Sequence, residues 1–151
     1  MHVGSQYTVG IHTLLMVAFF NEDRITSEIV ATSIGCNPVI VRNVFTKLSK
    51  ASLLKPGMGK ARTRLGRPAD KITLYDVFAA VDTDDADGIF RMYPVNTHCP
   101  VGSEIHDLLS SRFNIAVRSM MNQLSKTTIA DLVSELPQEK RCLPEVLRHC
   151  E

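Results

Sequence analysis

Apolar residues return at helical spacing from the start of the chain. Tyr7, Ile11, Leu14, Leu15, Ala18 and Phe19 fall mostly three or four apart, which predicts a first helix from about Thr8 to Phe20. The polar break Asn21-Glu22-Asp23-Arg24 ends it. Ser27 is placed to cap a short second helix carrying Ile29, Val30 and Ile34, and Gly35 suits its left-handed exit. Asn37-Pro38 reads as an N-cap followed by a first helical residue with no N–H to lose, so a third helix starts at Pro38 and runs to about Ala51. Two helices joined by a turn of about three residues have helix-turn-helix form. The third helix separates its faces. Val41, Val44, Phe45 and Leu48 form an apolar stripe for the core, and Val39, Arg42, Asn43, Thr46 and Lys50 form the opposite one, free to enter a DNA groove.

Leu53-Leu54-Lys55 reads as a short strand, Pro56-Gly57-Met58-Gly59 as a turn, and Lys60 through Leu65 as a return strand with alternating Lys60, Arg62 and Arg64. A basic hairpin after a helix-turn-helix is a wing; the blander alternative is a surface hairpin with solvated charges. Thr73 with Asp76 three residues on resembles a capping box for a helix carrying Leu74, Val77, Phe78 and Val81. Asp82, Asp84, Asp85 and Asp87 follow without the ordered ligand spacing of a calcium loop and read as a solvated loop. Pro100 opens the longest helical stretch, to about Leu124, roughly 37 Å at 1.5 Å per residue. Its stripe, Val101, Ile105, Leu109, Phe113, Ala116, Met120 and Leu124, predicts a helix that pairs with a second copy of the chain. The alternative is a helix folded back on its own domain. A closing helix runs from Thr128 past Asp131 to Leu136 and stops at Pro137.

The expected fold is therefore mainly α: a winged helix-turn-helix domain over residues 1–70, then a linker helix, a long dimerisation helix and a closing helix over 71–136. A tail over 137–151 is left unassigned. The net charge of +1 conceals an asymmetry. Residues 1–70 carry nine basic and four acidic groups, the remainder eight and twelve, and eight of the nine basic groups lie between positions 42 and 67. That concentration points to a nucleic-acid face, and Lys47 is counted in it with Arg42 and Lys50. No run approaches the ~18 apolar residues of a membrane span, and no secretion signal is read at the N-terminus, so a cytoplasmic protein with no membrane partner is expected.

Several segments together resemble the Rrf-two regulators, the IscR, NsrR and CymR type. They are Ser5-Gln6-Tyr7-Thr8-Val9, Ile25-Thr26-Ser27-Glu28, Asn37-Pro38-Val39-Ile40-Val41-Arg42, Arg67-Pro68 with Ile72-Thr73-Leu74, Cys99-Pro100-Val101-Gly102, and Thr127-Thr128-Ile129-Ala130-Asp131-Leu132. Within the family the chain is most similar to the cluster-less YwnA-like members. The resemblance implies a homodimer on a palindromic operator, contacted through Asn37, Val39, Arg42 and Asn43 on the third helix and Lys60, Arg62 and Arg64 on the wing. A repressor of transcription is the expected activity. The wing departs from the family's glycine-rich run, reading Gly57-Met58-Gly59-Lys60-Ala61.

Some members of the family hold an iron–sulfur cluster on three closely spaced cysteines between the wing and the long helix. Here that segment offers only Cys99, and a cluster needs several thiolates at one site, so no cluster or other cofactor is expected. His98, Cys99 and His106 lack a recognised zinc spacing, and no metal site is expected. Cys99, beside Pro100 at a helix N-terminus, is a candidate redox sensor, because the helix dipole favours a thiolate. Cys36 reads as a packing residue, and Cys142 and Cys150 lie in the unassigned tail. No nucleophile elbow, phosphate loop or zinc-helix motif is present, so no enzyme is expected. Double-stranded DNA, a second copy and an unknown small-molecule or protein effector are the expected partners. The competing function is a winged-helix protein-interaction module without specific DNA binding.

Overall fold

The first helix is buried on almost every side, and the rest of the fold is wrapped around it. A computed structural model of the chain describes residues 4–81, 89–90 and 92–148. Helix α1 spans Ser5–Phe19 and buries Tyr7, Val9, Thr13, Leu14, Met16, Val17 and Phe19. A helix apolar on so many faces must be a core helix. Its one fully buried hydroxyl, on Thr13, donates to the carbonyl of Val9 at 2.8 Å, so burial leaves no unpaired polar group there.

Helix α2 spans Ser27–Ile34 and leaves through Gly35 at φ +79°, in the left-handed region that favours glycine. Its cap is Thr26, whose hydroxyl oxygen accepts from the N–H of Ile29, and not Ser27 as the sequence suggested. Thr26 holds the extended backbone of an N-cap, while the Ser27 hydroxyl donates to Glu28. Helix α3 spans Pro38–Lys50, with the Asn37 side chain accepting from the N–H of Val39 at 2.9 Å. Val41, Val44 and Leu48 are wholly buried against α1 and α2.

The wing is smaller than its sequence pattern implied. Strand β1, Leu54–Lys55, pairs antiparallel with β2, Arg64–Leu65, in the register Leu54 to Leu65 and Lys55 to Arg64. Lys60 and Arg62 therefore lie in the connecting loop, not in a return strand. Pro56 has no N–H for a ladder, and the N–H of Gly57 goes to the Thr63 hydroxyl instead. The Ala61 carbonyl passes where a Cβ on residue 57 would sit, so only glycine fits that position.

Helix α4 spans Leu74–Val81 and α6 spans Ile129–Glu135. Each begins with a reciprocal box, Thr73 with Asp76 and Thr128 with Asp131, both carboxylates standing where glutamate is more usual. The two boxes lie side by side: the N–H of Leu74 donates to Thr127, and that of Ile129 to Ile72. Ile72 and Ile129 are wholly buried beneath this bridge. The Tyr7 hydroxyl donates to the carbonyl of Leu74 at 2.9 Å, and its ring stands edge-on to Phe78. Helices α4 and α6 thus share the core of the first 70 residues, so a boundary at residue 70 does not follow the packing.

Helix α5, Pro100–Leu124, leaves this core. Its C-terminal half returns to its own chain through Val117, Met120 and Met121, with Phe113 stacked on Phe90 at 4.4 Å. The tail docks as well. After a 3-10 turn at Gln138–Lys140, Leu143 is buried and its N–H donates to Asp23 at 3.0 Å. From the short helix α7, Glu145–Arg148, Arg148 pairs with the same carboxylate at 3.5 Å. The aspartate-rich segment 82–88 lies outside the described residues, as does Cys150.

Candidate nucleic-acid interface

Burying Val41, Val44 and Leu48 inward forces the opposite stripe of α3 outward. Val39 is 52% exposed, Arg42, Asn43, Thr46 and Lys50 are exposed beside it, and Asn37 caps the helix with its own side chain exposed. Arg42, Thr46 and Lys50, with Ser49 and Pro56, line an open concavity of about 510 Å³ between α3 and the root of the wing. The ridge thus presents an exposed apolar group, Val39, and a guanidinium, Arg42, about one helical turn apart.

Lys47, expected on this face, is not part of it. Its ammonium donates to the side-chain oxygen of Gln6 at 2.8 Å and to the carbonyl of Val81 at 3.0 Å. Val81 belongs to α4, so the Lys47 ammonium ties α3 to α4 and to Gln6 of α1. The concentration of basic residues that grouped Lys47 with Arg42 and Lys50 could not show that α4 packs against it.

On the wing, Lys55 faces Arg64 directly across the two strands, both exposed. Like charges in such a pair repel, an arrangement that an anion laid across them relieves. Lys55 was missed in the sequence because it stands on the incoming strand. Lys60 is exposed in the loop. Arg62 is committed elsewhere: its guanidinium donates to the carbonyls of Asn21 at 3.2 Å and Glu22 at 2.8 Å and meets the Glu22 carboxylate at 3.4 Å. It ties the wing to the α1–α2 loop. Beneath the tie lies a second concavity, of about 380 Å³, bounded by the end of α1, Arg62 and Arg64.

Arg42 has a partner that the sequence reading did not foresee. Its Nη2 donates to Oε1 of Glu28, in the first turn of α2, at 2.7 Å. The hydrogen bond from Arg42 holds the Glu28 carboxyl far below the usual carboxylate range, at about 2, so Glu28 is ionised at any ordinary pH. Fourteen residues separate the two in sequence, and only the angle between the helices joins them.

The expected pairing stripe on α5 is divided by the packing. Val101 and Ala116 are exposed, while Ile105, Leu109, Phe113, Met120 and Leu124 are half-buried. Phe113 and Met120 face their own core, so the free apolar surface is rotated toward Leu108 and Ile115, at 52% and 65% exposure. With Val101, 67% exposed, these stand seven residues apart on one line of the helix.

Cys99 is the N-cap of α5 and is exposed. The backbone N–H groups of Gly102 and then Val101 draw its thiol pKa below the ordinary value, without closing a capping hydrogen bond of normal geometry. The other described cysteines are Cys36, half-buried against the core, and exposed Cys142. His106 spends Nε2 on the carbonyl of Tyr93, and among the described residues no group of three or more His, Cys, Asp or Glu side chains is placed to hold a metal. The three described cysteines lie on separate parts of the chain, in the α2–α3 turn, at the start of α5 and in the tail. Among the described residues no single helix is long and apolar enough to cross a membrane.

Known proteins share this architecture. HTH-type transcriptional regulator YwnA of Bacillus subtilis strain 168, so named provisionally, is 31% identical over 135 residues, covering 89% of this chain and 98% of that protein. The solved structure of CymR, the global cysteine regulator of B. subtilis, matches with a TM-score of 0.67 at 16% identity, over 91% of this chain and 99% of that one. IscR of T. potens also matches with a TM-score of 0.67 at 16% identity, over 97% and 96%. Residues 3–135 match the family described as Rrf2, iron-dependent transcriptional regulator. The winged helix, the long helix and this match converge: the chain belongs to the Rrf2 family of transcriptional regulators.

Proposed function

We propose that this regulator is a homodimer that binds a palindromic operator and represses by occupying it. The observation that carries the reading is the outward stripe of α3, with Val39, Arg42, Asn43, Thr46 and Lys50 all exposed beside a wing that sets Lys55 against Arg64. A purely protein-binding module has no need of that density of exposed cations on a groove-sized ridge. Two copies joined along the free line of α5 would present two such ridges, which is what two half-sites require. In this reading the dimer works in the cytoplasm with its DNA, uses no iron–sulfur cluster, catalyses no reaction, and answers an effector that is a small molecule or a protein.

Selection of bound duplexes from a random pool tests the proposal directly; a dyad-symmetric consensus is the expected result, and recovery of no consensus overturns it. On the selected operator, Arg42→Ala is expected to cost about 1–3 kcal/mol and to relax preference at one base pair. Lys60→Ala should instead weaken every sequence alike and reduce the salt slope by about 1. Fluorescence anisotropy across a salt series separates the two patterns.

Cys99 is proposed as the redox-sensitive position. Backbone N–H groups of Gly102 and Val101 lower its thiol pKa, so at a given pH a larger fraction is thiolate than in an ordinary cysteine. Alkylation followed by mass spectrometry should therefore label Cys99 faster than the cysteine of an unstructured reference peptide at neutral pH, with the difference closing as pH rises. Mild peroxide should alter operator binding by the wild type and not by Cys99→Ser. Equal labelling rates and peroxide-insensitive binding would reduce Cys99 to a structural cap.

A further inference from the structure

Arg42 has five N–H donors, and only Nη2 is engaged, by Glu28. Its Nε and Nη1 have no partner among the described residues, and the side chain remains 56% exposed on the outward face of α3. Glu28 is itself held: the Ser27 hydroxyl donates to its other oxygen at 3.0 Å, and both residues sit in the first turn of α2, whose backbone is fixed by the Thr26 cap. The result is a chain of contacts, from Ser27 to Glu28 to Arg42, that anchors one end of a guanidinium and leaves the other end pointing out.

Two consequences follow from charge and geometry. An arginine swinging freely among its rotamers meets any phosphate, and phosphate contact carries no sequence information. An arginine held at one amino group loses that freedom, and part of its charge is cancelled by the carboxylate, so general attraction to DNA falls. Nη2 carries two hydrogens and Glu28 takes one, so the other, with a neighbouring N–H of the guanidinium, still forms a two-donor edge for the O6 and N7 acceptors of a guanine. An acidic side chain on a DNA-facing surface is otherwise a liability, since it repels the backbone.

Resting on the DNA-binding reading above, we propose that Glu28 is a specificity-determining residue that positions Arg42 for base reading at the expense of general DNA affinity. Glu28 does not touch the base; it acts through Arg42. Removing it frees the arginine for phosphates, so selectivity falls while binding to arbitrary sequence rises.

The test uses the full chain, the operator selected by the wild type, a variant of that operator changed at the base pair whose preference Arg42→Ala relaxes, and a random duplex. Glu28→Ala is expected to lower the ratio of operator to changed-operator affinity roughly tenfold, within the range one arginine–guanine pair confers. Its binding to the random duplex should strengthen and become more salt-dependent. Glu28→Gln, which keeps an acceptor oxygen but no charge, should fall between wild type and Glu28→Ala. In an Arg42→Ala background, Glu28→Ala should leave the ratio unchanged, because the residue it positions is gone; a merely structural role would lower affinity for all three duplexes together. An unchanged ratio in Glu28→Ala, or a drop that persists without Arg42, overturns the proposal while leaving DNA binding intact. A wild-type chain that selects no sequence overturns the DNA-binding reading itself, and this inference with it.

Discussion

Leu108→Asp combined with Ile115→Asp is expected to yield monomers and to lower operator affinity by roughly 10²-fold or more, the scale on which two linked half-sites exceed one. Both side chains are more than half exposed in the single chain, so the substitutions remove no contact from its own core. Only where a second helix covers them does the change bury two unpaired charges, at a cost of several kcal/mol each. Sedimentation at micromolar concentration should show the loss of the dimer, and binding to an isolated half-site should stay at the wild-type level. Phe113→Asp makes a poorer test, because Phe113 stacks on Phe90 and its loss disturbs the subunit itself. A double variant that remains dimeric with wild-type operator affinity would place the subunit interface elsewhere.

Leu48→Ala should have the largest effect on stability. The side chain is wholly buried under α3, and cavities of this kind cost about 2–5 kcal/mol, a large part of a typical total of 5–15. For a chain of this length, each kcal/mol lowers the melting temperature by about 2–4 °C, so a fall of roughly 10 °C is expected. Val39→Ala, on the opposite side of the same helix and half exposed, should change stability by no more than about 0.5 kcal/mol. Its loss is expected to lower DNA selectivity instead. Thermal unfolding of the two variants beside the wild type separates the core face of α3 from its reading face, and comparable losses in both would mean that the faces are misassigned.

These contrasts mark how far the sequence could be read. Local signals were strong wherever a residue's role is settled by its near neighbours. Asn37-Pro38 starts α3, Gly35 ends α2, Pro100 starts α5, and Thr73 with Asp76 closes a capping box, because each satisfies or forgoes backbone hydrogen bonds within four residues of itself. The inward stripe of α3 was equally legible, since 3.6-residue periodicity assigns faces without reference to the rest of the chain. The family segments added the expectation of a homodimer on a palindromic operator, contacted through α3 and the wing.

What the sequence left open are the roles fixed by a distant partner. Lys47 looks like one more cation on a basic helix until the carbonyl of Val81 in α4 is placed beside it. Arg62 looks like a phosphate contact until the carbonyls of Asn21 and Glu22 arrive beside it. The α5 stripe read as a single seam, yet its C-terminal half serves its own core, which turns the free line toward Leu108 and Ile115. Glu28 gave no signal, for a carboxylate in the first turn of a helix is favoured there by the dipole alone. Periodicity and capping are properties of one segment and are written into the chain by themselves. The pairing of charges and the choice between two apolar faces depend on how helices cross, which only the packed structure decides.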